Sequence, residues 1–222
     1  MRRLIVAIDG PAGVGKSTVA RLLASRLGYL YLDTGALYRA MAWAVIESGR
    51  DPADAEAVAA LLPTLSLQMQ FHQGTATVLV DGKDVTGDLR TPAVSAAASV
   101  VSANHAVRVW LLPIQRQIGQ DGAVVAEGRD MGTKVFPAAD VKFFLDADPT
   151  VRAQRRHREL VAAGHFRVLE ETTADLAGRD KRDRSRSIAP LVPAEDARFI
   201  DTSRLSVSEV VDQMMVVIAA RL

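Results

Sequence analysis

The run Leu4-Ile5-Val6-Ala7-Ile8 leads straight into Asp9-Gly10-Pro11-Ala12-Gly13-Val14-Gly15-Lys16-Ser17, and this junction admits few folds. A short, wholly apolar run is the pattern of a parallel strand buried on both faces. The next eight residues fit G-x-x-x-x-G-K-[ST] at every fixed position, from Gly10 to Ser17. Val19, Leu22, Leu23 and Leu27 then recur at helical spacing until Gly28. A buried strand, a glycine-rich turn and a helix in that order form a phosphate cradle. Successive backbone N–H groups make a nest, and the helix N-terminus adds the positive end of its dipole. Gly10, Pro11, Ala12, Gly13, Val14 and Gly15 are expected to wrap the anion. Lys16 is expected to reach the β and γ phosphates, Ser17 to ligate Mg²⁺, and Thr18 to add a second hydroxyl.

Tyr29-Leu30-Tyr31-Leu32 reads as a second strand, which completes a βαβ unit. A helix is expected over residues 37–48 and a short one over 58–62. From Leu65 the period becomes two, with Leu67, Met69 and Phe71 alternating with polar residues. Gln73-Gly74 reads as a turn, and Asp81-Gly82 is a strong hairpin signal. A small antiparallel sheet inside a parallel α/β chain marks an inserted subdomain. Thr91-Pro92 opens helices that run to about Gln120, with a break near Asn104 and a bend at Pro113. Residues 123–126 and 141–145 read as buried strands, each followed or closed by an acidic residue, Glu127 and Asp146. Residues 151–163 and 170–186 read as helices, 197–201 as a fifth strand, and 206–222 as a closing helix. The fold class is therefore α/β: a five-stranded parallel P-loop sheet flanked by helices, with an inserted α+β domain and a helical lid. The expected division is a core over approximately 1–36, 121–150 and 187–222, an insert over 37–120 and a lid over 151–186.

Composition removes several chemistries. The chain has no Cys, which excludes disulfides, zinc–thiolate sites and thiol nucleophiles. The first apolar run has strand length, so it does not read as a signal peptide. No stretch approaches the roughly 20 apolar residues of a membrane span. The chain is expected to be cytoplasmic. A net charge of +1 gives no global field for nucleic acid or anionic lipid. His72, His105, His157 and His165 show no metal-ligand spacing, and Trp43 and Trp110 read as packing residues.

A phosphate cradle alone does not choose between hydrolysis, regulation and transfer to an acceptor. A kinase must hold two mutually repelling anions, so cationic groups are needed away from the cradle. Arg39 follows Asp33-Thr34-Gly35, and Arg129 and Asp130 follow the strand-end Glu127-Gly128. In a helix Arg179, Arg182, Asp183 and Arg186 fall at i, i+3, i+4 and i+7 and share a face, where guanidinium groups crowd unless an anion joins them. Arg152, Arg155 and Arg156 form a second basic cluster, read as lid arginines that close over ATP phosphates. Glu127 and Asp146 are candidates for Mg²⁺, with Glu127 preferred. Asp33 is a candidate base or acceptor-site orienter. These residues leave three readings open: a nucleotide kinase, a kinase for another small molecule such as shikimate or a sugar acid, and a P-loop regulatory module.

The ordered series Ile8–Ser17, Leu32–Arg39, Gly82–Thr86 with Arg90-Thr91, Glu127–Thr133, Arg179–Arg186 and Ala189-Pro190-Leu191 resembles the bacterial cytidylate kinases of the P-loop nucleoside monophosphate kinase superfamily. The resemblance covers nearly the whole chain. It implies transfer of the γ-phosphate of ATP, with Mg²⁺, to CMP or dCMP. It implies a catalytic set of Lys16, Asp33, Arg129, Arg179 and Arg186, with Arg155 on ATP. Arg39, Arg129 and Arg186 would hold the acceptor phosphate, with Thr34 where Ser is also common. Ser99, Arg108 and Asp130 would read the cytosine edge, and Arg179 and Asp183 the sugar. Cytosine presents an amino donor that a carboxylate accepts, where uracil presents an oxygen. Glu127 stands where Asp is also expected. No protein, nucleic-acid or membrane partner is implied, and a monomer is expected.

Overall fold

The computed structural model describes residues 3–72 and 75–222. In chain order the elements are β1 (Ile5–Asp9), α1 (Lys16–Leu27), β2 (Leu30–Asp33), α2 (Thr34–Glu47), α3 (Ala55–Leu61), β3 (Leu67–His72), β4 (Thr75–Val80), β5 (Lys83–Asp84), α4 (Pro92–Val101), α5 (His105–Gly119), β6 (Val124–Glu127), β7 (Val141–Asp146), α6 (Pro149–Ala162), α7 (Leu169–Ser185), β8 (Arg198–Asp201) and α8 (Val207–Ala219). They fall into two compact units, one made of the chain up to Tyr31 with Asp121–Leu222, the other of Leu32–Gln120.

The first unit is built on a five-stranded parallel sheet of order β2-β6-β1-β7-β8. β1 lies at its centre, parallel to β6 with Val6 beside Val125 and to β7 with Ile8 beside Phe143. Leu4, Val6 and Ile8 pack with Val19 and Leu23 of α1, Phe143 and Leu145 of β7, and Val211, Met214 and Ile218 of α8. This central position brings the turn after β1 to the carboxyl edge of the sheet, where open α/β sheets bind ligands. Ser206 starts α8 with a reciprocal capping box to Glu209. Among the described residues no helix is long and apolar enough to cross a membrane.

The second unit has a three-stranded antiparallel sheet, β3-β4-β5, packed with α2, α4 and α5. Leu67, Val78 and Val80 are buried, and Gln68, Gln70 and His72 are exposed, as the two-residue period requires. Asp81 and Gly82 both have positive φ, 50° and 80°, the backbone a two-residue hairpin turn demands. The expected turn at Gln73-Gly74 lies outside the described residues.

Several boundaries differ from the sequence reading. α2 begins at Thr34 rather than Leu37, because the Asp33 carboxylate accepts the Ala36 N–H and caps the helix there. Tyr29 lies outside β2, since its N–H closes the end of α1 on Ala24 O. The long helical stretch breaks between Val101 and His105, with Asn104 capping α5 through the Ala106 N–H. α5 then continues through Pro113 without interruption. Arg186 is not helical: it follows α7 with ψ of 138°.

Candidate functional site

The turn between β1 and α1 is shaped by its glycines. Gly10 has φ of 148°, and a Cβ there would stand 2.1 Å from the Leu145 carbonyl oxygen of β7. Gly13 has φ of 79°, and its Cβ would meet the Arg152 carbonyl oxygen at 2.8 Å. Gly15 caps α1 in the left-handed region, donates no side-chain cap, and is followed by no acidic residue in the first turn. A helix start whose first turn carries no carboxylate of its own, and whose leading amides have no partner within the helix, is chemically suited to an anion.

Lys16 is buried, and its Nζ donates to Pro11 O at 2.6 Å. Burial, with Arg129 and Arg179 beside it, holds its ammonium well below the usual lysine range, while Glu127 and Asp9 work against that shift. Ser17 and Thr18 are exposed on the first turn of α1. Glu127 ends β6, is buried, and accepts from Tyr31 Oη at 2.5 Å.

The segment after β6 carries the next groups. Asp9, at the end of β1, accepts the N–H groups of Met131 and Gly132, each at 2.8 Å, and so pins the turn that follows Asp130. Burial pushes the Asp9 carboxyl up to about 6, the two amides only partly offsetting it. Arg129 Nε donates to Asp183 Oδ2 at 2.9 Å. Arg186 reaches toward Asp183 Oδ1 at 3.7 Å and Asp130 Oδ1 at 3.9 Å, and its Nε is held by Ala189 O at 2.6 Å. Burial would raise the Asp183 carboxyl, yet Arg129, Arg179 and Arg186 outweigh it and hold it below the usual carboxylate range. Lys16, Glu127, Arg129, Asp130, Arg179, Asp183 and Arg186 are thus gathered in one electrostatic neighbourhood of the first unit. Arg182, expected on the same face, is exposed.

In the second unit Asp33 and Arg39 form an ion pair, Nη2 to Oδ2 at 2.7 Å, across Gly35. The Asp33 carboxylate is engaged by both the α2 cap and Arg39, an arrangement that suits an orienter of the guanidinium better than a base. Thr34 is buried beside them. Ser99 and Arg108 are buried on α4 and α5. Arg108 donates to Ser102 O at 3.0 Å, and its guanidinium lies 5.4 Å from the centre of the Tyr38 ring.

The cytidylate kinase family model matches residues 6–220. The chain belongs to the cytidylate kinase family. It is 47% identical to the cytidylate kinase of Geobacter sulfurreducens over 220 residues, which cover 99% of this chain and 94% of that one. A bifunctional pantoate ligase/cytidylate kinase of Synechococcus is 48% identical over 215 residues, which cover 96% of this chain and 44% of that longer protein. Among solved structures, an uncharacterized protein from Eubacterium ventriosum aligns with a TM-score of 0.54 at 12% identity, covering 99% of each chain, a likeness of fold alone.

The donor set suits Mg²⁺. A family of this kind uses a divalent ion, and Glu127 and Ser17 offer hard oxygen ligands at the cradle. Among the described residues no three His or carboxylate groups cluster as a cage. An ion held by one or two protein oxygens, with phosphate and water completing an octahedron, is the usual magnesium arrangement.

Some site residues escaped the sequence reading. Asp9 enters the sequence only as the residue that stops the first apolar run and as part of the Ile8–Ser17 series, although a carboxylate closing a buried-type strand is itself a signal. Tyr31 and Tyr38 enter only through the second strand and the Leu32–Arg39 series. Arg155 donates Nη1 to Thr202 Oγ1 at 3.0 Å and Nη2 to Thr202 O at 2.6 Å. Thr202 gave no signal in the sequence.

Proposed function

We propose that this chain transfers the γ-phosphoryl group of ATP to CMP or dCMP, giving ADP and CDP or dCDP. Membership of the cytidylate kinase family across residues 6–220 carries this reading, and the pairing of a phosphate nest with a separate guanidinium cluster supports it. In the reaction an oxygen of the acceptor phosphate attacks the γ-phosphorus, and the bond from that phosphorus to the β–γ bridging oxygen breaks, releasing ADP. Phosphate oxygens are ionised near neutral pH, so positioning and charge matter more than a strong base.

The residues take their parts from their surroundings. The amides of Gly13 to Lys16 and the Lys16 ammonium hold the donor phosphates, with Thr18 at the rim. A bound Mg²⁺ would be held by Ser17 and, directly or through water, by Glu127, and it would neutralise charge on the donor oxygens. Arg129, Arg179 and Arg186 carry positive charge to the transferred group, Asp183 fixing two of them. Arg39, oriented by Asp33, binds the acceptor phosphate together with Arg129 and Arg186, with Thr34 beside them in the acceptor site. Ser99, Arg108 and Asp130 read the cytosine, and Asp183 with Arg179 the sugar. The second unit serves as the acceptor-binding domain and the α6–α7 pair as the lid. One polypeptide supplies both anion sites, so the reading needs no second copy, and we take the chain as a cytoplasmic monomer.

An acceptor panel with coupled ADP detection tests the reading. CMP and dCMP are expected to drive ADP formation far above the rate with UMP, AMP, GMP, shikimate or gluconate. Faster turnover with a sugar acid, or hydrolysis indifferent to acceptor, would overturn it.

A further inference from the structure

Two arginines of α6 are engaged with the phosphate loop, Arg152 directly and Arg155 through Thr202. Arg152 is buried; its Nε donates to Ala147 O at 3.1 Å and its Nη1 to Ala12 O, in the loop, at 3.2 Å. The same Nη1 lies 2.5 Å from Oδ2 of Asp180 on α7. The other Asp180 oxygen, Oδ1, is buried with no hydrogen-bond partner. Ala12, Ala153 and Leu176 pack together, so loop, α6 and α7 also share a small apolar contact. Two residues further along the loop, Thr202 Oγ donates to Val14 O at 3.1 Å, and Thr202 is itself gripped by both terminal nitrogens of Arg155.

These contacts have a geometric consequence. No peptide bond in the described chain is cis, and in a planar trans peptide the carbonyl and the following N–H point in opposite directions. Holding Ala12 O against Arg152 turns the Gly13 N–H the other way, and holding Val14 O against Thr202 does the same for the Gly15 N–H. Both are amides of the nest. A loop whose amides are already aimed binds phosphate without first losing conformational freedom.

Resting on the kinase reading, we infer that Asp180 is a positioning residue for the donor cradle: through Arg152 it fixes the Ala12 carbonyl and thereby aims the amides that bind phosphate, tying the cradle to the helix that carries Arg179 and Asp183. Arg152 and Arg155 are the back brace of the cradle. The basic stripe Arg152, Arg155 and Arg156, read from sequence as closing over the ATP phosphates, has its first two members bonded to backbone carbonyls and to Thr202.

The sign of one measurement separates this role from the alternatives. By charge alone, replacing a carboxylate near an anion site tightens anion binding. If the brace operates, Asp180→Asn does the reverse, because Arg152 loses its anchor and the loop its preset shape. ADP affinity is measured by calorimetry on the full chain for wild type, Asp180→Asn, Asp180→Glu, Arg152→Lys and the Asp180→Asn/Arg152→Lys double variant, with thermal midpoints alongside. The expected result is about tenfold weaker ADP binding in Asp180→Asn and in Arg152→Lys, a double variant little worse than either single, and substantial recovery in Asp180→Glu. Thr202→Val, which frees a different carbonyl, adds its loss to that of Asp180→Asn. Unchanged or tighter ADP binding in Asp180→Asn would overturn the inference, as would fully additive losses from Asp180→Asn and Arg152→Lys. Should Arg152→Lys fail to fold, the Asn and Glu variants at position 180 decide alone. A wild-type chain that binds ADP but makes no CDP would defeat the kinase reading and leave this one standing.

Discussion

Asp9→Asn makes the burial of a carboxylate beneath the phosphate loop measurable. In the folded chain Asp9 has a pKa of about 6 against an ordinary 3.8. Burial is the main cause. The Gly132 and Met131 amides pull the value back, Asp130 raises it and Lys16 lowers it. A carboxyl whose folded pKa is raised binds its proton more tightly in the native state than in the unfolded one. Its contribution to stability is therefore fully present below the unfolded pKa and is lost as pH rises through the folded pKa. The shift of about 2 pKa units corresponds to about 3 kcal/mol over the whole titration. Between about pH 5 and pH 8 the wild type loses about 1.4 kcal/mol of it. Asn at position 9 has no proton to lose, and every other titration is shared. The difference between wild-type and Asp9→Asn unfolding free energies, read from urea curves on nucleotide-free protein, is expected to move by about that amount against the wild type as pH rises across this range. At neutral pH the two effects of the substitution oppose each other: it removes a buried charge, and it sets an amide donor against one of the two N–H groups. The pH trend is thus the informative quantity. Parallel stability curves for the two proteins, or a trend of the opposite sign, would refute the reasoning.

Other substitutions test single residues. Asp130→Ala is expected to lower kcat/KM for CMP and erode the preference for CMP over UMP by about tenfold or more, with ADP affinity little changed; a preserved ratio in steady-state kinetics would remove Asp130 from base recognition. Arg186→Ala is expected to lower kcat with both substrates saturating by about 10²-fold; a change confined to the thermal midpoint would make its contacts with Asp130 and Asp183 purely structural. Gly10→Ala forces a Cβ to 2.1 Å from Leu145 O, and is expected to cost about 3 kcal/mol or more, a fall of roughly 6–12 °C in midpoint. Gly15→Ala meets no atom within 4 Å, so it carries only left-handed strain of about 1–2 kcal/mol; equal losses at the two positions would contradict the packing described.

The parts legible in the sequence were those written locally. The strand, turn and helix from Ile5 to Leu27 follow from an apolar run, a glycine pattern and a helical period. Asp81-Gly82 announced its own turn. Sheet order and side-chain partnerships come from pairs distant in sequence. Asp9 meets Met131 122 residues away, Tyr31 meets Glu127 96 residues away, and Arg152 meets Asp180 28 residues away. No period or spacing registers such pairs. Helix arithmetic itself was too coarse at Arg182. At about 100° per residue, positions 179 and 183 sit within about 40° of each other, while 182 lies about 100° from 183 and turns outward. Arg186 joins the cluster for a different reason: the chain leaves the helix there and Ala189 O holds its guanidinium. The α6 arginines show the same limit, since a basic stripe declares its charge but not whether it faces a ligand or the back of the loop that binds one.

The most direct measurement follows phosphorus itself. With magnesium, ATP and CMP present together, phosphorus NMR is expected to show the two resonances of CDP growing in equal amount with ADP. Inorganic phosphate accumulating beside unaltered CMP would mean that the two anions are never aligned for transfer.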